Sequence, residues 1–287
     1  MTDVTGGVAV VTGAGSGIGA AIASACARRQ MRVVVADVDA AAASQTAQLL
    51  TEGGAWALPV QCDVADQSSV EALAHAVGEQ AGPVRLLCNN AGVSIRQRVV
   101  AARTTDWAWT LGVNLWGVIH GLTAFLPGIL DHGEPAHIVN TASMNGLFPS
   151  RLSAMYSASK YGVVGLTETL INELSGTTVR VSLLCPSAVR TRIHESERNR
   201  EAAQRTAAGD GYRASARYVL SAPLDASYVG ELTLEGVSAN RHYIFTDPRI
   251  APILQQRHEQ ILAAVAEVPR LLDLVGAPPP DGEHILN

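Results

Sequence analysis

Val8-Ala9-Val10-Val11-Thr12 runs straight into Gly13-Ala14-Gly15-Ser16-Gly17-Ile18-Gly19. A short apolar run, a cluster of glycines and then an Ala/Ile-rich stretch read as strand, tight turn and helix. Glycine lets the backbone turn sharply and approach a bulky anion. The helix start adds free N–H groups and the positive end of its dipole. The segment therefore has the form of a pyrophosphate cradle, with Gly13, Gly15, Ser16, Gly17, Ile18 and Gly19 as candidate contacts. Its place between a strand and a helix separates it from an ordinary glycine-rich turn.

Outward from this turn, strand and helix patterns alternate. Strands are predicted at 8–12, 33–36, 55–61, 85–88, 137–141, 179–184 and 242–245. Helical spacing falls at 18–29, 40–50, 68–80, 105–126, 154–174 and 224–239. Most of the strand runs are apolar without alternation, as strands covered on both faces should be. Asp66 is placed to cap the helix that follows it, and Asp225 suits the start of another. The expected fold class is α/β: a doubly wound seven-stranded parallel sheet of the Rossmann type, with helices on both faces. One domain is expected over 1–287. Within it, 186–223 forms a long insertion lying over the site, and 269–287 forms an extended tail.

Asp37 ends the second strand, 18 residues after Gly19. A carboxylate there can bind both hydroxyls of an adenine ribose and would repel a 2′-phosphate. NAD is thus favoured over NADP. The competing role for Asp37 is to cap the next helix.

Composition narrows the function further. The chain has 287 residues, 47% hydrophobic, with a formal charge of −5. An acidic balance argues against a nucleic-acid partner, and the apolar content argues against disorder. The uncharged stretch 4–27 is long enough to cross a bilayer, but its glycines and hydroxyls read as neither a membrane span nor a signal peptide. Cys26, Cys62, Cys88 and Cys185 lie far apart. They are read as reduced, buried thiols of a cytoplasmic chain. The histidines show no metal-ligand spacing, so no metal is expected.

Lys160 is the only lysine among 21 basic residues. It stands four residues after Tyr156, on the same helix face. A compact ammonium beside a phenol favours the phenolate and should lower a pKa that starts near ~10. Arginine cannot substitute for that geometry. Tyr156 is thereby a candidate general acid–base.

With these residues in place, the chain resembles the short-chain dehydrogenase/reductase family, of single-domain, standard length, from about Gly7 to Phe245. The motif Thr12 to Gly19 carries the resemblance. So do Asp63-Val64, Asn89-Asn90-Ala91-Gly92, Asn114, Ser143 and the Tyr156/Lys160 pair. The resemblance implies a catalytic set of Asn114, Ser143, Tyr156 and Lys160. Tyr156 exchanges the proton, and Ser143 holds the substrate oxygen. Lys160 tunes Tyr156 and binds ribose, and Asn114 positions a water. It further implies cofactor contacts at Asp63, Val64, Asn90, Ala91, Gly92, Pro186, Val189 and Thr191, and a homotetramer or dimer. Pro186-Ser187 departs from the family's Pro-Gly, which is expected to restrict the backbone there. The last strand also lacks the family's glycine ending, running Tyr243-Ile244-Phe245-Thr246.

Met144, Asn145, Phe148 and Ile193 are the candidate substrate pocket, suiting a hydrophobic secondary alcohol or ketone. Residues 190–217 carry seven arginines against four acids. They form either a lid attracting an anionic substrate or, more simply, a solvated helix face. Three functions stand open: an NAD-dependent alcohol dehydrogenase, an NADPH-preferring ketone reductase, and a cofactor-binding regulator or scaffold without catalysis.

Overall fold

The computed structural model describes residue 2, residues 5–200, 204–205 and 223–278. The strands are β1 (Val8–Thr12), β2 (Arg32–Asp37), β3 (Ala57–Gln61), β4 (Val84–Asn89), β5 (Ala136–Thr141), β6 (Val179–Cys185), β7 (Val189–Arg190), β8 (Leu224–Asp225) and β9 (Tyr243–Phe245). Seven of them form one sheet in the order β3-β2-β1-β4-β5-β6-β9, with every pairing parallel. β7 and β8 pair separately. All seven strands expected from sequence are present, and the chain order reverses direction between β1 and β4.

The helices are α1 (Gly17–Arg28), α2 (Ala40–Glu52), α3 (Gln67–Gln80), α4 (Thr104–Leu111), α5 (Gly117–Asp131), α6 (Ala154–Glu173), α7 (Ala226–Ser238), α8 (Ala251–Ala266) and α9 (Val268–Val275). The core forms two layers, one on each face of the sheet. Ala9, Val11, Val33 and Val35 pack with Ile22, Ala43 and Leu234. Val8, Val10 and Val34 point the other way, into a layer with Leu73, Phe125 and Val163. Burial on both faces is why these strands read as unbroken apolar runs.

Asp66 accepts from Ser68 N–H at 3.0 Å, and Asp225 from Ser227 N–H at 3.0 Å, so both cap helices as expected. The single long helix expected at 105–126 is in fact α4 and α5 joined by a π turn at Gly112–Trp116. By length and apolarity, Thr104–Asp131 is the one described helix able to cross a membrane. Here, though, it buries Gly117, Val118, Gly121, Leu122, Phe125 and Ile129.

Two compact units emerge, Met1–Asp247 and Pro248–Asn287. The parallel sheet is complete in the first, so the single domain read over 1–287 ends at Asp247. The extended tail expected from residue 269 needs correction as well. α9 continues to Val275, with Pro269 in its first turn, where a missing N–H costs nothing. Gly276, at φ +67, ends it. Residues 279–287 lie outside the described ones, as do 201–203 and 206–222 of the expected insertion.

Candidate active site

The functional candidates gather at the carboxyl ends of β1, β2, β4, β5 and β6, where the strand order reverses. A cavity of about 460 Å³ opens there. Its wall includes Gly13, Ser16, Gly17 and Ile18 from the glycine turn, and Asp37, Asp63 and Val64 from the β2 and β3 ends. Asn90, Ala91 and Gly92 follow β4, Ser143 follows β5, and Tyr156 and Lys160 come from α6. Pro186, Val189 and Thr191 complete the rim after β6.

The turn is shaped by backbone crowding. A Cβ at Gly13, whose φ is +64, would stand 2.8 Å from Ala91 Cα. One at Gly19 would stand 2.2 Å from the Gly13 carbonyl oxygen. Gly15 and Gly19 are absent from the cavity wall; they let the turn close beneath it. Ser16, at the N-cap of α1, makes no side-chain capping bond. The first N–H groups of α1 are thus left for an anion. Thr12 sets the opposite wall: its hydroxyl accepts from Asn90 N–H at 2.9 Å and Ala91 N–H at 3.1 Å.

The two roles weighed for Asp37 are separated by its neighbour. Asp39, not Asp37, caps α2, accepting from Ala41 and Ala42 N–H at 3.1 Å. Asp37 accepts from Gly15 N–H at 2.8 Å and Asp39 N–H at 3.0 Å, and lines the cavity. An uncapped helix start beside a glycine turn, with a carboxylate at the end of the next strand on the same cavity wall, fits a dinucleotide.

Lys160 is 2% exposed and donates to the Thr141 carbonyl at 2.7 Å. Its Nζ lies 5.8 Å from the Tyr156 ring centroid. Burial pushes its pKa down to about 8. The Tyr156 phenol departs from expectation. Burial raises its pKa, and a hydrogen bond with Ser143 offsets that only in part. The Lys160 ammonium lies beside the ring and also donates to the Thr141 carbonyl. Desolvation therefore outweighs the cation in the protein alone.

Asn114 does not reach the cavity wall. It is fully buried in the π turn, a distortion that recurs at functional sites. Its Nδ2 donates to Val93 O at 2.9 Å and Ser159 Oγ at 3.0 Å, and its Oδ1 accepts from Val93 N–H at 2.8 Å. It fixes the loop after β4 against α6. Gly92 lies between: a Cβ there would stand 3.5 Å from Asn114 Oδ1 and 3.6 Å from Lys160 Nζ.

Of the substrate candidates, Met144, Asn145 and Ile193 line the cavity, and Phe148 does not. Sequence reasoning missed Ser94, Arg96, Trp109, Ser150, Ser153 and Ser196 on the wall. None lies in a motif; the bridge between Gln97 and Ser153 brings several of them together.

Among the described residues, the arginines of 190–217 are held by local partners. Arg190 pairs with Asp225 at 3.8 Å, and Arg192 with Glu195 at 2.8 Å. Arg198 and Arg205 donate to backbone carbonyls. Arg200 is buried, bonded to the equally buried Asp106 at 2.9 Å and stacked over Trp109. Arg213 and Arg217 lie outside the described residues.

The departures near residue 187 explain each other. Ser187 has no positive φ, so the backbone accepts a side chain. Its N–H donates to Thr246 Oγ1 at 2.9 Å, and its hydroxyl to Asp247 Oδ2 at 3.1 Å. The expected restriction is thus an anchor to the segment that follows β9. The four cysteines are free and buried, and no metal-ligand cluster occurs among the described residues.

Comparison with known proteins identifies the class, an oxidoreductase. The family model for short chain dehydrogenases matches residues 7–202. The chain belongs to the short-chain dehydrogenase/reductase family. It is 36% identical over 241 residues to 1-deoxy-11-beta-hydroxypentalenate dehydrogenase of Streptomyces exfoliatus, covering 83% of this chain and 82% of that one. It is 30% identical to C alpha-dehydrogenase of a Sphingobium strain, covering 93% and 88%. A family member from Burkholderia phymatum, solved in complex with NAD, superposes with a TM-score of 0.87. That protein is 41% identical, over 99% of this chain and 100% of its own.

Proposed function

We propose that the protein interconverts a hydrophobic secondary alcohol and its ketone with NAD(H), using Tyr156 as general acid–base. The observation that carries this is one cavity holding both ends of the chemistry. Asp37 and the glycine turn lie at one end, and Ser143, Tyr156 and Lys160 at the other. The NAD complex of the Burkholderia relative supports the cofactor choice, and the dehydrogenase names of the other relatives support the reaction class.

When bound, the nicotinamide supplies the two-electron acceptor or donor. The protein's part is placement and proton handling. Ser143, whose Oγ accepts from Asn145 N–H at 3.1 Å, keeps its own proton for the substrate oxygen. Tyr156 takes the hydroxyl proton in oxidation and returns it in reduction. Lys160, its proton loosened by burial, stabilises the phenolate as it forms. Asn114 acts as a positioning residue, holding the wall opposite α6. Asp63 and Val64 face the adenine end, and Pro186, Val189 and Thr191 the nicotinamide end.

The test is spectrophotometric. Purified protein with NAD is screened against hydrophobic secondary alcohols, following NADH absorbance. Tyr156→Phe should lower kcat by at least about a thousandfold while NADH still binds. Near-normal turnover in that variant would overturn the reading. Faster turnover with NADP(H) would favour the reductase alternative. NADH binding without turnover of any alcohol or ketone would favour a non-catalytic regulator. We further propose a cytoplasmic homo-oligomer. Trp116, 54% exposed on the joined α4–α5 helix, offers an apolar contact for a second copy.

A further inference from the structure

The cavity is electrically lopsided. Its wall contains two carboxylates, Asp37 and Asp63, both at the β2 and β3 ends. Beyond Ser143 and Tyr156 the wall turns polar and basic, with Asn145, Ser150, Ser153 and Arg96. Among the described residues, no carboxylate pairs with Arg96. Its Nε is buried without a hydrogen-bond partner. Its Nη2 reaches only the Arg151 carbonyl, at a long 3.4 Å. Burial alone acts on its pKa, pushing it down, with no opposing acid. A half-buried guanidinium with no acid beside it is ready to accept an anion in partnership.

The backbone beside Arg96 is held firmly. Ser94 N–H donates to Ser196 Oγ at 3.1 Å. Gln97 N–H donates to the Leu152 carbonyl at 2.9 Å, and its side chain to Asp106 at 3.0 Å. Leu152 itself sits at φ +62, a left-handed conformation that a branched residue adopts only under constraint. Strain accepted to hold this loop against α6 fixes where the guanidinium is presented. Of the described lid arginines, Arg190, Arg192 and Arg200 pair with Asp225, Glu195 and Asp106, while Arg198 and Arg205 donate to backbone carbonyls. Among the described wall residues, Arg96 is the one whose buried side-chain nitrogen has no hydrogen-bond partner.

We propose that Arg96 anchors a carboxylate of the substrate, making the reaction the oxidation of a hydroxy acid or the reduction of the matching oxo acid. This rests on the dehydrogenase reading above and narrows it to a substrate class. In oxidation, the carbinol C–H bond breaks with its electron pair passing to NAD, the named oxidant. The C=O bond forms, and the hydroxyl proton goes to Tyr156. The carboxylate is unchanged and serves only as a handle. A planar guanidinium suits that handle because it donates two parallel bonds.

The test uses NADH-loaded enzyme in isothermal titrations. The probes are cyclohexanecarboxylate, benzoate and decanoate, each paired with its neutral amide. Wild type should bind at least one acid about tenfold or more tightly than its amide. Arg96→Gln should erase that preference, and Arg96→Lys should keep part of it. In parallel, 3-hydroxycyclohexanecarboxylate should exceed its methyl ester in kcat/KM in wild type, with the ratio falling toward one in Arg96→Gln. Equal binding of every acid and amide by wild type would overturn the proposal. So would an acid preference that survives Arg96→Gln. NADH affinity and oxidation of neutral secondary alcohols are measured on the same preparations. Turnover of neutral alcohols without acid preference removes the anchor alone. Failure to bind NADH removes the dehydrogenase reading itself.

Discussion

Replacing Asp106 with asparagine should damage this protein more than any surface change. The carboxylate is fully buried. Its Oδ1 accepts from Arg103 Nη2 at 2.7 Å and Arg200 Nη1 at 2.9 Å. Its Oδ2 accepts from Arg103 Nε and Gln97 Nε2 at 3.0 Å, and from Arg103 N–H at 3.1 Å. Burial opposes the charge, but these donors outweigh it and hold the carboxyl well below the usual range. An asparagine side chain would turn an N–H₂ toward groups that themselves donate. It would also leave Arg200 buried, with only Glu197 at 3.4 Å as an acidic neighbour. Breaking one side of a buried pair costs about 3–5 kcal/mol. For a domain of this size that is a fall in Tm of roughly 10 °C. The assay is paired urea and thermal unfolding of wild type, Asp106→Asn, Arg200→Met and the double variant. The double should recover part of the loss, since it removes the orphaned charge. The wild-type carboxylate contributes its stability above pH ~4 and loses it as pH falls below that value, so the gap to Asp106→Asn should narrow in acid. Because Arg200 closes the turn carrying Ile193, Ser196 and Arg198 onto the cavity, KM for substrate should rise more than NADH affinity falls. A cost under about 1 kcal/mol, or strict additivity in the double variant, would refute the reasoning.

Other outcomes follow from the same geometry. Gly19→Ala places a methyl 2.2 Å from the Gly13 carbonyl oxygen, and should weaken NADH binding at least about tenfold in a fluorescence titration. Lys160→Met should flatten the pH dependence of stability in alkaline solution. The folded-state pKa of about 8 lies below the unfolded value near ~10.4, so wild-type stability rises with pH across that window, by on the order of 3 kcal/mol, and the variant lacks the rise. Asp37→Ser should cut the NADH over NADPH preference at least about tenfold, judged by the ratio of dissociation constants. An unchanged ratio would mean that Asp37 serves the Gly15 turn alone.

The sheet is legible in the sequence because its strands are buried on both faces, which leaves continuous apolar runs between glycine and aspartate punctuation. The glycine turn, Asp37 and the Tyr156/Lys160 spacing are legible because each is set by local chain geometry. What is hidden depends on distant contacts. The direction of the Tyr156 shift depends on burial, which no spacing reports. The buried fate of Arg200 depends on Asp106, 94 residues away in sequence. The π turn at Asn114 keeps the apolar pattern of an ordinary helix. Ser187 reads as a liability in isolation, and only Thr246 and Asp247, some 60 residues on, make it an anchor. Arg96 belongs to no motif, and only the pairing of its loop with the start of α6 brings it to the wall.

The solitary lysine has a practical consequence. Amine-directed reagents will find one side-chain target here, and it faces the reaction chamber rather than bulk solvent. With its basicity lowered to about 8, that amine is partly uncharged and nucleophilic under mild conditions. Small acylating or aldehyde reagents should therefore act as titrants of intact chambers, with bound dinucleotide shielding the target. Lysine-based immobilisation, by the same logic, would have to rely on the chain's amino terminus.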